Sequence, residues 1–415
     1  YKRQRNDWDS RLAFSDYKSF FYPSIGLSAI LTSMFNAPDW LTYLKVRGSY
    51  TEVGNSYGRF MTTVTYPYDE QTQSWTSTSS YPNTKLKPER TKSWEVGLDA
   101  RILNDISLNL TYYRSNTYNQ TFYADLSLSS GYSNIPIQSG NIMNEGLEMS
   151  LGYNKQWKDF SFNTNYTLTW NKNRVKRLAD GVYNYATGQP IQMPELSPLT
   201  YGHTDARLIL RVGGSMGDVY GQRLLKRDLN GYILNEEGVG LAMENKETYL
   251  GSILPKMNMG WSLGFGYKGV NLGMTFTGRF GGIVISETQS VLDAAGVSKV
   301  SADVRDAGGV QINQSKVSAQ TYYQTIQGTA AYYTYSATNV RLGELSLSYT
   351  LPKKWFDNKV GMTVGLVGKN LWMIYCKAPF DPELTTSAAS NFYQGFDAYM
   401  LPSTRNFGFN VKFQF

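Results

Sequence analysis

The last residues of the chain alternate with a period of two. Phe407, Phe409, Val411, Phe413 and Phe415 fall on one face of an extended segment, and Gly408, Asn410, Lys412 and Gln414 on the other, because successive strand side chains point to opposite faces. A strand of a soluble sandwich shows the same alternation. Here the run has the length of about nine to eleven residues with which a tilted strand crosses a bilayer. It also ends on Phe415, an odd place for the core of a soluble protein. The pattern suits the closing strand of a barrel, with lipid outside and water inside.

The alternation recurs along the chain. Trp94, Val96, Leu98, Ala100 and Ile102 oppose Glu95, Gly97, Asp99 and Arg101. Phe160, Phe162, Tyr166, Leu168 and Trp170 oppose Ser161, Asn163, Asn165, Thr167 and Thr169. Met257, Met259, Trp261, Leu263, Phe265 and Tyr267 oppose Asn258, Gly260, Ser262, Gly264, Gly266 and Lys268. A slip of one residue would turn every one of these sets over, so the pattern specifies pairing. Between Arg341 and Leu351 the phase breaks around Glu344, which predicts a β-bulge. Short polar turns at Asn104-Asp105, Lys158-Asp159, Lys268-Gly269 and 352–358 predict hairpins. Long segments, about 55–90, 124–139, 176–256, 282–338 and 374–404, separate them. Short turns at one rim and long loops at the other mark an outer-membrane barrel, and the pattern gives about twelve strands. With Phe415 at the periplasmic rim the short turns share that rim, and further spanning strands within 176–256 must come in pairs.

Composition narrows the class. The 415 residues include 32 tyrosines and 14% aromatics, and mean hydropathy is −0.39. No apolar run reaches the roughly eighteen residues of a transmembrane helix. A barrel is compatible with a polar average, since every second strand residue faces water, and abundant tyrosine suits its interfaces. Net charge is +7. Lysine and arginine are dispersed rather than clustered, so a basic lumen or anionic lipopolysaccharide accounts for the charge better than nucleic acid does. The single cysteine, Cys376, excludes an intrachain disulfide and reads as an incidental thiol. The chain opens at Tyr1 in strand-like sequence with no signal peptide, and reads as a fragment of a longer protein.

Several stretches carry a resemblance: Leu86-Lys87-Pro88-Glu89 leading into Ser93-Trp94-Glu95-Val96-Gly97-Leu98-Asp99, and Gly140-Asn141-Ile142-Met143-Asn144-Glu145-Gly146-Leu147-Glu148. Tyr249 to Lys256, Arg341 to Tyr349, Gly368-Lys369-Asn370-Leu371, Asp381-Pro382-Glu383 and the aromatic terminus follow. In this order and spacing the chain resembles the C-terminal barrel portion, residues 1–415, of SusC/RagA-type TonB-dependent transporters of Bacteroidetes. The resemblance implies an all-β, transmembrane, antiparallel barrel of the outer membrane. This chain would supply about twelve strands of a wall of about twenty-two, wide enough for a plug. The plug and the TonB-contacting segment are not in this chain. It implies uptake of an oligosaccharide or oligopeptide with a SusD-like surface lipoprotein, drive from TonB through the missing N-terminal region, and room for a dimer of such heterodimers. It also implies that the terminal strand, through Phe413 and Phe415, is read by the assembly machinery. In one respect the chain departs from the family. Asp228-Leu229-Asn230-Gly231 is followed by Tyr232, Ile233 and Leu234 rather than by acids, so no calcium site is expected, nor any other metal or cofactor.

For capture of substrate or partner, the long segments offer Trp75, Tyr81, Tyr183, Tyr185, Tyr322, Tyr323, Tyr332, Tyr333, Phe392 and Tyr393. Their rings stack on sugars or peptides while polar tips bond hydroxyls and amides. The bland alternative is that they pack the loops. Luminal Glu95, Asp99, Arg101, Glu148 and Arg279 are candidates for ion pairs that stiffen the wall. Two rival functions remain at this level. A passive porin or adhesin barrel would lack a plug. A barrel hydrolase would need Ser, His and acid in contact, and the only histidine, His203, has Asp205 nearby in sequence; an enzyme is not expected. Deleting Phe415 should lower the yield of heat-modifiable, assembled barrel while transport per assembled molecule is unchanged. Normal assembly without it would remove the terminus from the assembly signal.

Overall fold

The computed structural model describes residues 2–6, 20–76, 78–178, 188–189, 195–236, 240–357, 359–384, 386 and 391–415. Twelve strands form its main sheet: β1 (Lys2–Asn6), β2 (Phe20–Ile30), β3 (Leu41–Asn55), β4 (Glu89–Ile102), β5 (Ile106–Asp125), β6 (Asn134–Trp157), β7 (Phe160–Arg177), β8 (Met257–Tyr267), β9 (Val270–Phe280), β10 (Asn339–Leu351), β11 (Gly361–Cys376) and β12 (Asn406–Gln414). Their order in the sheet is their order in the chain. The chain divides into two compact units: Tyr1–Met149 with Asn171–Leu196 and Leu210–Ser215, and Ser150–Trp170 with Ser197–Ile209 and Met216–Phe415.

In the second unit β8 spans the residues its alternation predicts and is paired on both sides along its whole length. Trp261 stands opposite Tyr166 and Phe276, Leu263 opposite Thr164 and Met274, and Phe265 opposite Phe162 and Leu272. The Phe162 and Phe265 rings lie 5.1 Å apart, and the Trp261 indole donates to Thr164 Oγ1 at 2.9 Å. The other face joins Ser262 to Asn165 and Thr275. From Phe160 to Trp170 the strand advances roughly 33 Å. At the usual barrel tilt this projects to about 25 Å, the height of a lipid-facing band. In β12, Phe407, Phe409, Val411 and Phe413 stand opposite Gly368, Leu366, Val364 and Met362, and Asn410 opposite Gly365.

The turns are tight where expected. Tyr267 pairs with Val270, leaving Lys268 and Gly269 as a two-residue link with φ of 46° and 90°, the positive pair a type I′ hairpin requires. A Cβ on Gly269 would stand 2.7 Å from the Thr350 carbonyl oxygen. Phe160 opposes Tyr267, Val270 opposes Tyr349 and Gly361 opposes Gln414. These registers gather Asp159, Gly269, Asp357 and Phe415 at one end of the second unit. The predicted bulge is Gly343: Thr275 pairs with Glu344 but Phe276 with Leu342. The skipped residue keeps Val340, Leu342, Leu345, Leu347 and Tyr349 on one face despite the broken phase.

In the first unit Tyr50 faces Trp94, Val46 faces Leu98, and Leu98 faces Leu110. The Trp94 and Tyr112 rings are 5.3 Å apart. On the polar face Asp99 accepts from the Asn109 amide and lies 3.8 Å from Lys45 Nζ and 3.9 Å from Arg47 Nε, the wall-stiffening role expected of it. Asn104 closes its own hairpin, where Ile102 pairs with Ile106.

Three long segments differ from their expected form. Residues 124–139 are strand at both ends, since β5 runs to Asp125 and β6 starts at Asn134. Strands within 176–256 (Glu195–Thr200, Arg207–Arg211, Asp218–Leu225 and Met243–Ser252) form a separate four-stranded sheet. Residues 282–338 hold helices α1 (Glu287–Ala294), α2 (Lys299–Asp306) and α3 (Ala319–Ile326). Buried Ser286 and Ser298 cap α1 and α2, and Ser318 caps α3, each side chain accepting an otherwise orphaned N–H.

Leu263→Arg should destabilise the folded protein in lipid vesicles by about 2–4 kcal/mol near the midplane, whereas Ser262→Arg should cost far less. Denaturant unfolding in bilayers measures both, and equal costs would overturn the assignment of faces.

Candidate functional site

The long segments of the second unit build a folded body with its own interior. One cluster joins Tyr201, Ala206, Leu208, Val219, Ile253, Ile285, Ala330 and Phe396. Asp205 ties these distant segments together. Its carboxylate accepts from the backbone N–H of Gln222 (3.0 Å), Arg223 (2.7 Å) and Ala330 (2.6 Å). Ser286 donates to Asp397 Oδ2 at 2.6 Å, beside the parallel pairing of Ile283–Ser286 with Phe396–Asp397. Glu287, 3% exposed, accepts from the Tyr399 hydroxyl and the His203 backbone N–H at 3.2 and 3.4 Å. His203 therefore sits in a structural turn beside a carboxylate that its backbone, through the N–H, helps to hold.

The aromatic residues expected to meet a ligand divide accordingly. Tyr323 and Tyr333 are buried in a second cluster with Leu225, Leu241, Ile312 and Ile326, against which Tyr322, Tyr332 and Tyr335 pack. Tyr322 and Tyr323 meet edge to face at 5.2 Å, and the Tyr332 hydroxyl accepts from the Leu225 N–H at 3.1 Å. Phe392 and Tyr393 pack on the first cluster, where the Tyr201 hydroxyl donates to the Phe392 carbonyl at 2.8 Å. Of these six positions, Tyr323 and Tyr333 lie inside the body, and Tyr322, Tyr332, Phe392 and Tyr393 are half-buried against its clusters. Tyr183 and Tyr185 lie outside the described residues. Between the three helices a cleft of about 330 Å³ is lined by Asp293, Ser301, Arg305, Gln320, Tyr323 and Gln324.

In the first unit the segment after β3 is anchored by buried Tyr57 and Leu86 and by the Asn83 amide, which donates to the Pro136 carbonyl at 2.9 Å. Its tip is open. Trp75 is 71% exposed and tilts against Tyr68 at 5.1 Å, across the short ribbon Tyr68–Asp69 and Ser74–Trp75. Tyr81, also exposed, meets Tyr132 edge to face at 5.2 Å. Phe60 and Tyr66 join the exposed set. They sit in polar, non-alternating sequence, where only their presence between Gly58 and Pro67 marks them.

Loop and wall of the second unit are joined at Arg341. Its guanidinium donates to both Asp381 carboxylate oxygens, at 2.9 and 2.7 Å, and to Asn339 Oδ1 at 3.3 Å. Glu383 lies 3.4 Å away and accepts from the Asn339 amide at 3.1 Å. Asp381-Pro382-Glu383 thus presents two carboxylates to the start of β10. Burial pushes the Asp381 carboxyl up, but the Arg341 hydrogen bonds and charge, the Glu383 backbone N–H and the Ser403 hydroxyl together outweigh it and hold the group below the usual carboxylate range.

Over residues 1–371 the sequence matches the family described as TonB dependent receptor-like, beta-barrel. The chain belongs to this family. It is 25% identical over 448 residues to TonB-dependent receptor P3 of Formosa agariphila, covering 99% of this chain and 43% of that protein. It is 27% identical over 154 residues to TonB-dependent receptor SusC of Bacteroides thetaiotaomicron, covering 36% of this chain and 14% of SusC. The fold is that of the RagAB peptide importer in its open-open state, with a TM-score of 0.68 at 20% identity over 97% of this chain and 43% of that chain. The chain spans less than half the length of these relatives. It is a TonB-dependent receptor-like β-barrel of the outer membrane, and its apolar strand faces are therefore lipid-facing.

Asp381→Asn should loosen residues 377–384, read as faster backbone hydrogen exchange, with a cost of up to about 3–5 kcal/mol for unpairing a buried guanidinium, reduced by Glu383. Because the folded-state pKa is depressed, the wild-type contribution is complete above the unfolded value, about pH 4, and fades as pH falls through the lower folded value. Unchanged exchange in the variant at pH 7 would show that the pair is not what holds the segment.

Proposed function

We propose that this chain forms wall and capture loops of an active importer for oligopeptides or oligosaccharides, driven through TonB and served by a SusD-like surface lipoprotein. The observation that carries the reading is the built loop body. Asp205 and two hydrophobic clusters make it a defined surface at the end opposite the tight turns. Long loops with their own interior are characteristic of binding elements rather than simple connections. Membership of the TonB-dependent receptor family supports coupling to TonB, and the likeness to the RagAB peptide importer supports a lipoprotein partner and a peptide among the candidate cargoes. The open aromatic tip formed by Phe60, Tyr66, Trp75 and Tyr81 supplies rings with polar edges, suited to peptide backbone and to sugar faces alike.

The test uses the full-length transporter in cells supplied with either an oligopeptide or an oligosaccharide as the limiting nutrient. Growth on one class should depend on the transporter and on TonB. The combined change Phe60→Ser, Tyr66→Ser and Trp75→Ser should cut uptake about tenfold, near 1.4 kcal/mol of lost contact, with normal amounts of assembled barrel. Uptake that is indifferent to TonB would indicate a passive pore. Full uptake by the triple variant would remove the tip from capture.

A further inference from the structure

The cleft between the three helices of the loop body holds a carboxylate without a cation. Asp293 stands in the last turn of α1 and is 5% exposed. Its Oδ1 accepts from the Gln289 amide at 2.7 Å and from the Ser298 hydroxyl. Among the described residues its Oδ2 accepts no hydrogen bond, and no lysine or arginine forms an ion pair with the group. A carboxylate so far out of water is ordinarily paired. The last turn of a helix also gathers partial negative charge, which favours a cation there, and α1 has no basic residue in that turn.

The rest of the cleft limits what the missing cation can be. Tyr323 of α3 is buried and lines it, with a hydroxyl that makes no hydrogen bond to the described residues. Burial and then the Asp293 charge push this phenol up, so at neutral pH it stays protonated and still offers an oxygen lone pair. Arg305 of α2 and Gln320 and Gln324 of α3 form the exposed part of the lining. Arg305 donates only to the Gly296 carbonyl, at 3.4 Å, and has no carboxylate partner among the described residues. Acid and base therefore line one cleft without pairing. A metal ion would find a single carboxylate there, too few hard oxygen ligands. A ligand with positive charge alone would be repelled by Arg305, and a neutral sugar would leave both charges unpaired. A ligand carrying an ammonium beside a carboxylate satisfies both. At about 330 Å³ the cleft is at the small end for ligand pockets. It suits one amino acid, whereas a longer peptide carries its two end charges too far apart.

We propose that this cleft binds a free α-amino acid as its zwitterion, the ammonium on Asp293 Oδ2 and the Tyr323 hydroxyl, the carboxylate on Arg305. The amides of Gln320 and Gln324 are left for the side chain. The ligand touches α1, α2 and α3 at once and so braces the helical part of the loop body. The site shares no residue with the aromatic tip, and the proposal does not depend on the cargo or on TonB.

The test is isothermal titration calorimetry of the full-length transporter in detergent with L-serine, L-glutamine and L-leucine, each compared with its N-acetyl derivative and its amide. At least one of the three should bind with a Kd of about 1 mM or tighter, and should slow backbone hydrogen exchange across residues 287–326. N-acetylation removes the ammonium and should abolish binding. Amidation removes the carboxylate and should weaken binding about tenfold, as for the loss of a hydrogen-bonded charge. Arg305→Gln should erase the preference for the acid over its amide while leaving the affinity for the amide unchanged, and Arg305→Lys should keep that preference. Asp293→Asn should weaken the amino acid about tenfold or more, and Tyr323→Phe should weaken it less. Heat-modifiable migration reports assembly. If Asp293→Asn fails to assemble, the derivatives on the unaltered protein and the variants at exposed Arg305 decide the matter. Absence of saturable binding by all three amino acids overturns the proposal. Equal binding of an acid and its N-acetyl derivative, or of an acid and its amide, overturns it as well, as does an unchanged preference in an assembled Arg305→Gln variant.

Discussion

In hydrocarbon no backbone N–H or C=O is left without a partner except at a cost of several kcal/mol. That constraint, imposed on strands whose side chains alternate, governs the rest of the molecule. β8 satisfies it completely, paired to β7 and β9 at every position, and its lipid face then follows from register alone. The two-residue turn at Lys268-Gly269 follows as well, since a longer link would leave polar backbone at the rim to be satisfied separately. β12 is an end strand of the sheet, so in the membrane its outer edge demands a further strand. A wall built on this rule has no intrinsic specificity, which must come from what the strands carry at their ends.

The loop body meets the same demand by other means. Its backbone groups lie off the wall, and side chains take over part of the pairing. Asp205 accepts N–H groups from two separate segments, and serine hydroxyls cap the helices. Buried tyrosines then fill the interior, which is why burial pushes the Tyr335 hydroxyl up to about 12 and Tyr333 higher still. These phenols are structural over the physiological range of pH. The polar positions in the body and the apolar positions on the wall are two answers to one constraint.

The difference explains what was legible in the sequence. Period-two alternation is local, so the bounds of β8, the turns at Asp159 and Gly269 and the bulge near Glu344 could all be read from neighbouring residues. The body is held by contacts far apart in sequence, such as Asp205 with Ala330 and Tyr201 with Phe392, for which no period exists. Paired tyrosines at 322–323 and 332–333 look the same whether they close a core or greet a ligand; only burial separates the two. Trp75 and Tyr81 stay exposed because their segment is held by backbone pairing, at Tyr68 with Trp75 and at Ser80 with Asn134, which leaves the rings outside any cluster.

The Gly343 bulge shows how wall and loops depend on one another. Outward residues of β10 beyond the bulge are Leu345, Leu347 and Tyr349. Strict alternation carried back from them would turn Arg341 toward lipid, where a charge costs about 2–4 kcal/mol near the midplane and less toward the interface. The extra residue reverses the phase, so Arg341 pairs opposite Thr277 on the polar face while Leu342 and Val340 take the lipid side opposite Phe276 and Gly278. Only in that phase does the guanidinium meet Asp381 and Asn339. One inserted glycine therefore keeps the outer face apolar and aims the cation that fastens the Asp381-Pro382-Glu383 loop. A feature that reads in the sequence as a flaw in the barrel pattern is the point at which barrel and loop are joined.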